Sequence, residues 1–250
     1  VNSREENAGS VPALPKTMTT FPENSTAVLV HGAWADGSCW ANVIGPLKQE
    51  GLNVICAPIP LTSLTDDIAA LGRALERTSG PVVLAGHAYG GAVIQAASDE
   101  QVKSLVYIAA LAPEEGETVA NVFYRDEPHA DAPKLAPNKH GCFWLTEEGF
   151  RKAVAHKASQ NLIEVMAAVQ RPISIHCIQQ PALTPAWKTK PTWYLLAEED
   201  RMINPKTQRF MAERMRATIR SVRADHSPMY MEPKLVVGII LEAARATLGR

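Results

Sequence analysis

The segment Ala85–Ala92 reads AGHAYGGA and places Gly86 and Gly90 two residues on either side of position 88. That spacing suits a sharp strand-to-helix turn, which holds its central residue in strained geometry and exposes its side chain. A serine at the centre would be a nucleophile, but the residue is Ala88, with no hydroxyl to activate. The partners of such a nucleophile are expected downstream, acid first and base second. Asp200 in EEDRMINP and His226 in ADHSPMYMEP stand in that order, each just after an apolar run. A further piece is HGAWADGSCW, where a tight His31-Gly32 turn can aim the amide of Ala33 at a substrate carbonyl oxygen. The amide of Tyr89 would be the second donor of this oxyanion hole.

The elements that must position these residues are legible in the alternation of short apolar runs with helical patterns, which predicts an α/β fold with a mainly parallel sheet of about six strands. The runs AVLVHG, NVICAPI, PVVLAGHA and SLVYIAALA read as strands, as do TWYLLAEE and TIRSVRA. Helical spacing appears in WANVIGPLKQE, in IAALGRALERT behind the capping pair Ser63 and Asp66, in GGAVIQAAS, in KTQRFMAERM and in PKLVVGIILEAARATL. From about residue 113 to 190 the rhythm breaks, and helical patterns near FRKAVAHKA and NLIEVMAAVQ predict a cap inserted between two strands. Residues 1–24 are polar and aperiodic and read as a flexible lead-in to one domain over residues 25–250.

With 250 residues, 46% of them hydrophobic, the chain can bury the core of a single domain. A net charge of −1 gives no electrostatic case for nucleic acid, and no apolar stretch approaches a bilayer span. The absence of an initiator Met fits either an exported protein whose signal peptide has been removed or a trimmed chain, so the compartment stays open. Cys39, Cys56, Cys142 and Cys177 form no CxxC pair; buried free thiols are expected, with a Cys142–Cys177 disulfide as the alternative in an exported protein. His129, His140, His156 and His176 show neither a helical i, i+4 pair nor an HExxH, so neither a metal nor another cofactor is implied. His87 and His31 are expected to brace the elbow and the oxyanion loop.

Taken together, VLVHGAW, GHAYGG, EEDRMINP and DHSPMYMEP resemble the α/β-hydrolase superfamily, and more closely its small cofactor-free esterases, which include plant methyl-salicylate esterases and hydroxynitrile lyases. The resemblance runs from Ala27 onward and implies that Asp200 orients and supports His226, that His226 is the general base, and that position 88 should be serine. Ala88 then has three explanations: engineered removal of the nucleophile, a natural serine-less homologue, or drift to a structural turn. Ser to Ala deletes one oxygen yet keeps the Cβ that makes the turn costly, whereas drift would more naturally reach Gly, so deliberate removal fits best.

The expected function is therefore a serine-type carboxylic-ester hydrolase, here an inactivated form able to retain its substrate. A cofactor-free lyase or oxygenase driven by the His base, or a receptor-like homologue without catalysis, are the alternatives. Trp34, Tyr124, Phe143, Trp144, Met166 and Trp187 are candidates to line an apolar pocket over position 88, for an ester or lactone with apolar bulk.

Overall fold

The computed structural model describes residues 21–249, so most of the expected lead-in, residues 1–20, lies outside the described residues. The strands are β1 (Thr26–Val30), β2 (Asn53–Ala57), β3 (Val82–His87), β4 (Val102–Ile108), β5 (Cys142–Phe143), β6 (Ile173–Ser174), β7 (Thr192–Ala197) and β8 (Thr218–Val222). The helices are α1 (Ala41–Gln49), α2 (Leu64–Leu75), α3 (Gly90–Ile94), α4 (Val119–Phe123), α5 (Glu147–Gly149), α6 (Gln160–Val169), α7 (Ile175–Gln179), α8 (Pro205–Arg214), α9 (Pro228–Met231) and α10 (Pro233–Thr247).

Six strands form one parallel sheet in the order β2-β1-β3-β4-β7-β8. The alternation of side chains along each strand sends them to two separate cores. Val28, Val30, Leu84, Tyr107 and Leu196 pack beneath α2, α3 and α8, while Ala27, Leu29, Val83, Val106 and Leu195 pack beneath α1 and α10. Strands buried on both faces are nearly continuous in apolar residues, which is why their runs stand out in the sequence. From the adjacent β1 and β3 the chain winds outward in opposite directions, and the crevice at their carboxyl ends is where an open α/β sheet receives a ligand.

Local chemistry sets the helix starts. The Ser63 side chain accepts from the Asp66 amide at the start of α2, as the capping pair predicts, and Asn204 accepts from the Lys206 amide before the Pro at the start of α8. The helix after the elbow is shorter than its pattern, ending at Ile94, with Gln95 and the next residues held in turns.

The insertion between β4 and β7 carries α4 to α7 and the antiparallel pair β5-β6. One expectation within it needs correction. FRKAVAHKA is not an α-helix: Phe150–Val154 is a π turn, closed by the Ala155 amide on the Phe150 carbonyl at 2.9 Å. The non-helical backbone of Ala155, at φ −143° and ψ 56°, then ends it. Leu145, Phe150, Ala153, Val154 and Ile163 of the insertion pack together with Met202, which follows β7. All four cysteines are free thiols, so the Cys142–Cys177 disulfide does not form. No described helix is long and apolar enough to cross a membrane.

Candidate active site

The turn after β3 puts Ala88 at φ 49°, a region that costs an alanine energy and that the surrounding structure must enforce. The enforcement is visible in its hydrogen bonds. The Ala88 amide donates to the Ile108 carbonyl at 3.3 Å, and its own carbonyl accepts from Gly91 at 3.1 Å and Leu111 at 2.9 Å. The flanking glycines are required by close approach: a Cβ on Gly86 would lie 2.7 Å from the Gly90 carbonyl oxygen, and one on Gly90 would lie 2.7 Å from that of Val30. A tight elbow against β1 is possible only with both.

Asp200 follows β7 and His226 follows β8, and both are buried. His226 Nδ1 donates to Asp200 Oδ2 at 2.7 Å. The Asp200 carboxylate is itself fixed: Oδ1 accepts the amides of Met202 at 2.7 Å and Ile203 at 2.9 Å, and Oδ2 accepts Gln208 Nε2 at 2.8 Å. Nε2 of His226 is left without a protein partner among the described hydrogen bonds, on a ring that borders the space over Ala88. In that tautomer it is the basic nitrogen. Behind it, the Asp225 carboxylate accepts the Lys157 amide at 3.1 Å, and Ser227 Oγ donates to the Val154 carbonyl at 2.9 Å, tying the histidine loop to the insertion.

Two further histidines brace the site, as their positions suggest. His87 Nε2 donates to the His226 carbonyl at 2.7 Å, and burial pushes its pKa well below the ordinary imidazole value. His31 Nδ1 donates to the Gly32 carbonyl at 2.9 Å, and burial lowers its pKa to about 4. Both are neutral near pH 7 and serve as uncharged struts. The amides of Ala33 and Tyr89 donate to no protein acceptor among the described hydrogen bonds, so both are available to a ligand.

Two apolar cavities, of about 220 Å³ and about 270 Å³, meet at Ala33, Trp34, Ala88 and His226. Trp34 sits at their boundary with φ 59°, its Nε1 donating to the Phe143 carbonyl at 3.0 Å. Met166 of α6 lines the first cavity together with Phe150 and Val154 of the π turn. Tyr124 and Phe143 line the second, with Leu111, Phe123 and Ile178.

Two candidates from the sequence are not brought to the site. Trp144 is 52% exposed and borders a separate surface depression, because its neighbour Phe143 takes the inward side of the short β5. Trp187 is 7% exposed and packs into the main core, where the guanidinium of Arg214 lies 5.9 Å from its ring centre. Residues missed in the sequence include Gln208, Leu111 and the π-turn pair; Gln208 had a faint signal, being one helical face behind the Asp200 loop.

A parallel α/β sheet that sets a strained elbow, a carboxylate and a histidine after β3, β7 and β8 defines a hydrolase scaffold. The chain belongs to the alpha/beta hydrolase family, whose model matches residues 27–239. It is an enzyme of that family with esterases among its relatives. It is 26% identical over 174 residues to a carbendazim hydrolyzing esterase of Nocardioides sp. (strain SG-4G), covering 63% of this chain and 69% of the relative. To Methylesterase 17 of Arabidopsis thaliana it is 22% identical, covering 87% of this chain and 90% of the relative. The crystal structure of a pyrethroid hydrolase in a serine-to-alanine variant superposes with a TM-score of 0.76 at 21% identity, covering 89% of this chain and 98% of the other.

Proposed function

We propose that this chain is the serine-less form of a carboxylic-ester hydrolase, with Ala88 standing where the parent enzyme has its nucleophile. The carrying observation is that Ala88 keeps a strained φ of 49° beside a correctly assembled Asp200–His226 pair, although an alanine gains nothing from that geometry. Substitution of a serine accounts for both facts. The serine-to-alanine variant of a structural neighbour gives a parallel.

In the parent, a serine hydroxyl at position 88 gives its proton to His226 Nε2 and attacks the ester carbonyl. The carbonyl oxygen turns towards the amides of Ala33 and Tyr89, each such donor contributing about 2.7–4 kcal/mol to the transition state. His226 returns the proton to the leaving alcohol, then takes one from water to release the acid. Asp200 fixes the tautomer and supports the imidazolium. Because the two apolar cavities meet at position 88, the substrate is an uncharged ester or lactone with apolar bulk on both sides of the scissile bond.

A second reading is favoured by the completeness of the base without the nucleophile. With His226 Nε2 free of any protein partner among the described hydrogen bonds, the Ala88 form supports proton abstraction from a bound ligand by that nitrogen, as in a lyase, with no acyl intermediate. The Ala88→Ser change decides between them. A panel of aryl and alkyl esters should be hydrolysed only after the change, while the Ala88 form binds them intact. Turnover by the Ala88 form without an acyl intermediate would favour the lyase reading, and tight binding with no turnover in either form would leave a receptor.

A further inference from the structure

Asp67, in the first turns of α2, is fully buried, and its hydrogen-bond partners are three neutral donors. Oδ1 accepts the Leu61 amide at 2.7 Å, and Oδ2 accepts the Tyr89 hydroxyl at 2.7 Å and the Cys177 thiol at 3.5 Å. Burial raises the pKa of this carboxyl, and its donors oppose the rise. Burial also pushes the Cys177 thiol up to about 12, so that partner remains a protonated donor.

The donors come from three separate places. Leu61 lies in the loop after β2 and holds φ 62°, Tyr89 directly follows position 88, and Cys177 belongs to α7 of the insertion. Tyr89 and α7 both face the reaction space: the second cavity is lined by Tyr89 and by Ile175, Ile178 and Gln179. A carboxylate gripping both therefore sets the elbow and one wall of that cavity against each other. The tyrosine ring is rigid, so anchoring its hydroxyl restrains the backbone at residue 89, whose amide has no protein partner among the described residues.

We propose that Asp67 is a positioning residue: through the Tyr89 hydroxyl it fixes the amide that receives the oxyanion, and through Cys177 it fixes the α7 wall of the second cavity. The kinetic consequence rests on the ester-hydrolase reading above; the structural consequence does not.

Two measurements test it. In the Ala88→Ser background, Tyr89→Phe removes only the gripped hydroxyl and should lower kcat on the order of tenfold or more, since displacement of a positioned group by a fraction of an ångström is enough. KM should stay within about twofold, because the amide acts on the transition state. A loss confined to KM, or no loss, overturns the assignment. In the Ala88 protein itself, Tyr89→Phe and Cys177→Ala are compared by amide hydrogen exchange. Exchange should accelerate on the order of tenfold at Gly91 and Ala92, which bond to the Ala88 and Tyr89 carbonyls, in Tyr89→Phe, and at Gln180 behind α7 in Cys177→Ala. Amides of β4 and α10 serve as the reference and should not change. Unchanged exchange at both places overturns the proposal even if Ala88→Ser proves unable to hydrolyse esters, an outcome that by itself counts only against the ester-hydrolase reading.

Discussion

His226 Nδ1 and Asp200 Oδ2 stand 2.7 Å apart, and the same carboxylate is held by the Met202 and Ile203 amides and by the Gln208 side chain. The four donors occupy both oxygens, so the carboxylate cannot rotate away and the imidazole cannot turn over. One histidine nitrogen is thereby held by the acid, on a ring that borders both cavities.

In an Ala88→Ser enzyme, Asp200→Asn should keep this shape but reverse the polarity of the bond, favouring the wrong tautomer, and lower kcat about 10⁴-fold. His226→Ala should lower it at least as much. Steady-state kinetics on a hydrolysed ester checks both, and a His226→Ala enzyme with an intact rate would mean that another group is the base.

Gly90→Ala should unfold the elbow before it alters chemistry, since its Cβ would lie 2.7 Å from the Val30 oxygen and 2.8 Å from that of His31. A loss of about 2 kcal/mol or more is expected in urea unfolding, as for other strained or overpacked sites. Gly45→Ala in α1 meets nothing within 4 Å among the described residues and should instead stabilise by about 0.4–1 kcal/mol. Equal effects at the two positions would contradict the close-approach argument.

The two misplaced tryptophans separate packing from binding. Trp187→Ala should cost about 3–5 kcal/mol of stability, as for a large buried aromatic. Trp144→Ala should leave both stability and KM nearly unchanged. Met166→Ala and Tyr124→Ala, in the Ala88→Ser enzyme, should raise KM for esters with bulk in the first and second cavity respectively. A KM change at Trp144 matching these would place substrate outside the two cavities.

Acid should destabilise the protein through His31. Its pKa is lowered by burial to about 4, so the folded form stays neutral while the unfolded form takes a proton as pH falls below about 6.5. The stability is complete above that value and drains as pH falls towards about 4, by about 2 kcal/mol between pH 7 and pH 5. Buried His87 acts in the same direction. Urea midpoints at the two pH values measure it; His31→Gln should flatten the dependence, and a protein that gains stability towards pH 5 would refute it.

The strand runs, the capping pair Ser63 and Asp66, and the order of positions 88, 200 and 226 were all legible in the chain, because each depends on local geometry or on chain direction. A strand buried on both faces must be continuously apolar, and an elbow pressed against a neighbouring strand must have glycine where a Cβ would collide. Gly86 and Gly90 are thus sequence facts with one physical reading, close approach of the backbone. The assembly of the insertion was not legible in this way. Whether Phe143 or Trp144 turns inward depends on the pairing of β5 with β6, and Trp187 is claimed by the core only once Arg214 is packed beside it.

Nor could spacing bring Asp67 to Tyr89 and Cys177, which lie 22 and 110 residues away along the chain. The sequence by itself determined the fold class, the elbow with its glycines and the order of positions 88, 200 and 226, since those are written in short motifs with local steric causes. Only the tertiary structure decided which side chains line the two cavities and which buried carboxylate joins Tyr89 to Cys177, because those contacts join segments that share no local geometry and meet only when the insertion packs on the sheet.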